Sequence, residues 1–309
     1  MATAEPAVSP PPASSPSEGR YGEVFDRGYA HYTGERLGRR QAFRSLIVYS
    51  MKRSMGIRKS WTAKILPFFL YLAAIIPVIV MIGLTALVPQ ANMASYPNYF
   101  LAIFTIVGIF VAAVAPEMLC VDRRERTLPL YFARAITRFD YVLAKVLATA
   151  ILTMTLSVVP VVILWLGRQL VAESPGQAMR ANVEDLGKVV LVGSLIALVL
   201  GTAGLVISSL TDRRIVAVAI IVVGFLILTA TANIGYELLG EEAEWARYLL
   251  LISPSDLFGS LIYHLFTDSQ SENGLISDAE FSLRFKLLYM LGFVVVGILF
   301  IRWRYAPKD

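Results

Sequence analysis

Six long apolar runs, most of them nearly free of charge, occupy most of residues 65–302: 65–88, 99–115, 141–166, 189–210, 215–232 and 285–301. A hydrocarbon core roughly 30 Å thick needs about 20 apolar helical residues to cross it. Each run is that long or nearly so. A soluble chain of 309 residues has nowhere to hide six such segments, because its surface helices turn a polar face to water. The pattern predicts an all-α integral membrane protein with six transmembrane helices, here helix one to helix six.

One further apolar stretch, 248–266, is broken by Ser253, Pro254, Ser255 and Asp256. Proline and a carboxylate at mid-membrane are costly unless protein shields them. A re-entrant or external helical pair before helix six fits better than a seventh crossing. Within residues 39–55, Phe43, Leu46, Ile47, Met51 and Met55 recur at steps of three and four, with Arg40, Arg44, Lys52 and Arg53 on the other side. That is a basic amphipathic helix suited to the headgroup layer, apolar side down. Residues 1–19 are rich in Pro, Ser and Ala, carry Glu5 and Glu18, and lack the apolar core of a signal peptide. They read as a disordered tail. Residues 20–64 then form a cytoplasmic segment with the interface helix, and 65–309 the six-helix membrane domain.

Composition agrees, with 56% hydrophobic and 17% charged residues and a mean hydropathy of +0.63. The net charge of +5 does not gather on one basic face, so no nucleic-acid partner is expected. It sits beside particular membrane edges. With the N-terminus inside, the inner segments hold nine cations between Arg36 and Lys64, then Arg123, Arg124, Arg126, Arg134 and Arg138, then Arg213 and Arg214, then Arg302, Arg304 and Lys308. The outer segments are poorer, although Arg284 and Lys286 flank helix six on the wrong side. The asymmetry predicts a multi-pass protein of the plasma (inner) membrane with both termini cytoplasmic. The single Cys120, read as a loop residue, excludes an intrachain disulfide, and His31 and His264 have no ligand-spaced neighbours, so no metal is expected.

Helix four carries Gly193, Ala197 and Gly201 four apart, with Gly204 after, a small-residue stripe for close packing in a bundle or at a dimer seam. The segment between helices two and three, from Pro116-Glu117 to Asp140-Tyr141, is long, charged at its ends and apolar in its middle, like a docking surface with a rim. No G-x-x-x-x-G-K-[ST] phosphate loop, G-x-S-x-G elbow or H-E-x-x-H pair occurs. The interiors of the runs hold no Asp, Glu, His, Lys or Arg except Lys145, so no ion relay is offered. The chain reads as a non-catalytic membrane subunit driven by a separate ATPase.

The run PEMLCVDRRERTLPLYFARAITRFDYVLAKVLA resembles the loop after the second helix of type-2 ATP-binding-cassette (ABC) export permeases. An acidic–basic cluster (Asp122 to Glu125), Thr127-Leu128, an apolar patch (Leu130 to Phe132), Arg134, Arg138 and Lys145 carry the likeness, which with the six-helix layout covers residues 36–305. The family often has Gly where this chain has Arg126, and Pro where it has Ala135.

The resemblance implies a permease paired with itself or a sibling, as a homodimer or heterodimer in membrane lipid. It binds two ABC-type ATP-binding subunits, which hold the ATP and Mg; this chain binds no cofactor. The loop after helix two would form a cytoplasmic coupling helix. Glu117, Arg123, Arg124, Glu125 and Arg126 would make polar contacts with the ATPase, and Leu128, Leu130, Tyr131 and Phe132 would pack or anchor the coupling helix. The interface helix, through Arg40, Phe43, Arg44, Ile47 and Met51, would carry force to the bundle. Helices two and five would line the path, with Phe104, Phe110, Phe225, Thr229 and Asn233 as candidates. An uncharged lining implies export of a hydrophobic or amphipathic solute. The alternative is an ABC-type membrane subunit that acts as an assembly or mechanotransmission scaffold without moving a solute.

Overall fold

The computed structural model describes residues 34, 38–57, 60–87, 95–133, 136–239, 244–266 and 281–305. The tail expected at 1–19, His31, Arg134 and Lys308 lie outside the described residues. Among the described residues eleven α-helices follow in order: α1 (Gly38–Ser54), α2 (Thr62–Leu87), α3 (Tyr96–Arg124), α4 (Leu128–Phe132), α5 (Arg138–Ser157), α6 (Val159–Val171), α7 (Pro175–Ala181), α8 (Val183–Leu210), α9 (Arg214–Leu239), α10 (Pro254–Phe266) and α11 (Leu283–Arg304). A 3₁₀ stretch, Glu244–Leu251, precedes α10. No strand occurs among the described residues. Six helices among the described residues are long and apolar enough to span a bilayer: α2, α3, the joined α5–α6 (Arg138–Val171), α8, α9 and α11.

Each of the six runs falls on one span, the first apart from Val88, which lies outside the described residues, but the bounds differ instructively. Helix two was expected to stop at Ala115, with 116–140 as a connection. Instead α3 continues to Arg124, through Pro116, Glu117 and Asp122. Cys120 is therefore helical and buried, its thiol donating to the Ser208 carbonyl at 3.4 Å, rather than exposed among loop residues. The helix survives its charges because partners from elsewhere neutralise them. Residues 248–266 do not form one helix. They divide into the end of the 3₁₀ stretch and the 13-residue α10, which is too short to cross.

Local chemistry sets the helix ends. Ser95 caps α3 by accepting the Asn98 N–H at 3.4 Å, with Pro97 in the first turn where its missing N–H costs nothing. Thr137 and Asp140 form a reciprocal capping box at the start of α5. Gly56 ends α1 at φ +70°, and the Ile57 N–H returns to the Lys52 carbonyl at 3.0 Å. The end of α3 uses the same device with a residue ill-suited to it. Arg126 sits at φ +53°, and the Thr127 N–H reaches the Asp122 carbonyl at 3.1 Å.

The core is built from α3, α5 and α8. In α3 and α8 61% of the apolar window is buried within the chain, against 17% for α2 and 11% for α9. The small-residue stripe of α8 packs inside this core. Ser157 donates to the Gly193 carbonyl at 2.8 Å across the α5–α8 contact. A Cβ on Gly204 would meet Val111 Cγ1 at 2.5 Å and Ala115 Cβ at 3.0 Å, both on α3. The glycines thus serve close approach of backbones within one chain.

The apolar stripe of α1 meets protein rather than the headgroup layer. Leu46 is buried, and Phe43, Ile47, Met51 and Met55 pack against the core, where α1 lies on α5 and α3. Sequence periodicity identifies such a stripe but not what covers it. Arg53, expected on the outer side with Arg40, Arg44 and Lys52, turns inward, its side chain 12% exposed.

Candidate functional site

The ends of α1, α3, α5 and α11 and the α8–α9 turn converge at one end of the bundle. Ion pairs tie them together. Asp122, fully buried on the last turn of α3, is the centre. Its Oδ1 accepts Arg53 Nη1 from α1 at 2.8 Å. Its Oδ2 accepts the Tyr141 hydroxyl at 2.8 Å and lies 2.7 Å from Lys145 Nζ, both on α5. Lys145 also donates to Ser50 of α1 at 3.0 Å, and its ammonium lies 5.3 Å from the Tyr141 ring centre. This is the cation that stood alone in the sequence of helix three. Its counter-ion lies 23 positions earlier, on another helix, and the capped turns hold both in reach.

Around this centre a second tier forms. Arg53 also bonds Glu125 at 2.8 Å and lies 3.8 Å from Glu117. Burial opposes the charge of Arg53, but Asp122 and Glu125 outweigh it and raise its pKa above the ordinary value. Glu117, 3% exposed, pairs with Arg214 of α9 at 3.0 Å. Arg123 pairs with Asp212 at 2.8 Å and also bonds the Ser209 carbonyl. Arg39 reaches Asp140 through two bonds of 2.7 and 2.8 Å, so one carboxylate both caps α5 and tethers α1. At α11, Arg138 approaches the Tyr305 carbonyl at 3.5 Å.

The residues expected to dock a partner therefore divide. Glu117 faces inward and is enclosed by its own chain. Arg123 is committed to the α8–α9 turn, and Glu125 is half-exposed but bonded to Arg53. Arg124 and Arg126 are exposed and form no ion pair among the described residues. On α4, Leu128, Tyr131 and Phe132 pack against the core, with Tyr131 and Phe132 5.7 and 5.9 Å from the Tyr141 ring. Burial, reinforced by the charge of Asp122, pushes the Tyr131 phenol up to about 12. Leu130 points away from the chain, 68% exposed. Of the interface-helix residues, Arg40 and Arg44 are exposed, while Phe43, Ile47 and Met51 are partly buried. Arg53, Asp122, Lys145, Asp212 and Arg214, which hold the assembly together, were absent from the sequence-based candidate site. Lys145, isolated in an apolar run, was the one signal pointing to them.

The candidate path residues also divide. Phe104 of α3, Phe225 of α9 and Phe258 of α10 form a ring cluster, with Phe104 5.6 Å from Phe225 and 5.3 Å from Phe258. Phe110 faces away from it, edge-on to Tyr71 of α2 at 5.7 Å. Thr229 shares a hydrogen bond with Ser255 at 3.1 Å, and Asn233 donates to the Thr229 carbonyl at 3.0 Å. Beside them Ser253 caps α10 by accepting the Asp256 N–H at 3.4 Å. Along the bundle, α3, α8 and α9 line a partly open apolar cavity of about 640 Å³. Phe225, Thr105, Gly108 and Gly204 line it; Phe104, Phe110, Thr229 and Asn233 do not. No cluster of metal-binding side chains occurs among the described residues.

None of the curated proteins compared matches this sequence. Residues 85–303 match the sequence profile of the ABC-2 family transporter protein, a stretch that takes in α3 to α10, the cavity and nearly all of α11 but not α1. Multi-pass and all-α, with its site assembled from the connections of its spans, the chain belongs to the ABC-2 family of transporter membrane subunits.

Proposed function

We propose that this chain is the permease of an ATP-driven exporter, docked at its charged end to ATP-binding subunits and moving a hydrophobic or amphipathic solute. One observation carries the reading. The helix α4 is anchored from behind by Tyr131, Phe132 and Tyr141 and offers Leu130 outward, flanked by the exposed Arg124 and Arg126. An apolar knob with a cationic rim suits a groove in a partner. The ion network behind it passes any push on α4 directly to α1, α5 and α9. Arg40, Arg44, Lys52, Arg124, Arg126, Arg213, Arg214, Arg302 and Arg304 gather at the charged end, which supports reading it as the cytoplasmic side, with both termini there. ATP and Mg belong to the partner subunits, and two permease chains make the transporter. The apolar cavity supports a substrate with a substantial hydrocarbon part.

The test is charge and shape reversal on the outward face alone, Arg126→Glu with Leu130→Glu, since Arg123 and Glu125 also hold the fold. The double variant should remain folded in the membrane yet lose its co-purifying ATPase and all ATP-driven solute movement in liposomes. Retention of the ATPase overturns the docking role. ATP turnover by the wild-type complex with no solute moved would favour the scaffold reading.

A further inference from the structure

Between α1 and the ends of α3 and α9 lies a cleft of about 830 Å³. Its walls carry five cations: Arg44, Lys52, Arg53, Arg124 and Arg214. They also carry three carboxylates, Glu117, Glu125 and Asp212. Each carboxylate is already paired: Glu117 with Arg214 and Arg53, Glu125 with Arg53, and Asp212 with Arg123. Arg44, Lys52 and Arg124 have no ion pair among the described residues. The cleft is thus left with uncompensated positive charge facing its open volume.

Its depth is informative. Glu117, two residues beyond the apolar run 99–115, and Arg214, one before the run 215–232, both line the cleft, so its inner part sits where two apolar spans end, at the level of lipid headgroups. Its lining is not wholly polar, since Val48, Tyr49, Cys120 and Val121 share it. From its rim at Arg214 the exposed Ile215 and Val216 begin the outward side of α9, which stays almost entirely uncovered by the rest of the chain. A phosphate in the cleft would therefore have an apolar track for an attached acyl chain.

We infer that this cleft binds the phosphate-bearing headgroup of an anionic phospholipid, with Arg44 and Lys52 as its principal ligands and the acyl chains along α9. Basic pockets between spans at the headgroup level recognise such lipids through charge and donor geometry. The site needs no nucleotide or ATPase, and so stands apart from the docking reading.

The experiment uses the full chain, purified in detergent without its ATPase. Native mass spectrometry compares adducts formed with phosphatidylglycerol and with phosphatidylcholine, and with inorganic phosphate alone. The wild type should retain phosphatidylglycerol preferentially. Arg44→Gln with Lys52→Gln should reduce that preference about fivefold for each charge removed. Arg44→Lys with Lys52→Arg should keep it, which separates lost charge from a damaged fold. Equal retention of the two lipids by the wild type, or an unchanged preference in the glutamine variant, overturns the inference. So does binding of inorganic phosphate without preference for the anionic lipid, which would mark a soluble-anion site. Loss of ATPase co-purification from the glutamine variant with its lipid preference intact would assign the cleft to the protein partner and likewise overturn it.

Discussion

Lys145 and Asp122 form an ion pair of 2.7 Å in which neither side chain meets solvent, being 2% and 0% exposed. Removing Asp122 strands the Lys145 ammonium and the Tyr141 hydroxyl and leaves Arg53 with Glu125 and Glu117. Breaking such a buried pair costs about 3–5 kcal/mol, whereas replacing both by apolar groups is often neutral. Asp122→Ala is therefore expected to lower the thermal unfolding temperature in micelles sharply. Lys145→Met in the same background should recover part of the loss, because it removes the stranded ammonium. A double variant less stable than Asp122→Ala would refute this account of the network.

Arg126 occupies a left-handed backbone conformation that closes α3. For a residue with a Cβ this costs roughly 1–2 kcal/mol, part of which glycine returns as chain entropy in the unfolded state. Arg126→Gly is expected to raise stability by about 0.5–1 kcal/mol, read from denaturant or thermal midpoints. The same change should weaken ATPase co-purification, since it removes a rim cation from the docking face we propose. Destabilisation would show that the guanidinium has a folding partner.

The α3–α8 contact at Gly204 gives a steric test. Gly204→Ala forces a methyl to 2.5 Å from Val111 Cγ1 and should cost about 1–3 kcal/mol. Gly292→Ala on α11 meets open space and should be neutral or stabilising by up to about 1 kcal/mol, as helix propensity dictates. Equal effects at the two sites would dismiss the packing argument.

Phe225 lines the apolar cavity and touches Phe104, whereas Phe110 packs against Tyr71 on another side of α3. With the ATPase bound in liposomes, Phe225→Ala should shift transport toward bulkier apolar solutes. Phe110→Ala should lower stability without changing the preference among solutes. A change in preference at Phe110 alone would place the path elsewhere.

The spans were legible because apolar length is a local property, whereas the short helix between helices two and three was an implication of the family resemblance, and α4 lies there. What escaped was pairwise. Glu117 and Asp122 read as loop residues because their partners Arg214, Arg53 and Lys145 lie 97, 69 and 23 positions away, out of reach of any window. Phe104 and Phe110 are both apolar residues of one helix, yet six positions turn a helix by about 240° net, so they look in different directions. The stripe on α1 was visible in its spacing, but lipid and protein ask for the same residues. Only the neighbouring α5 and α3 decide between them. Arg126 was marked as the place where the family often has glycine, and its φ supplies the reason that residue type is favoured there.

At Gly204 the gap between α3 and α8 admits no methyl group, so these two helices have no room to slip along each other by even one side chain. The ion pairs at the charged end lock α5 to the same block. Together α3, α5 and α8 form a keel, against which the sparsely covered α2 and α9 have the least packing within the chain to lose.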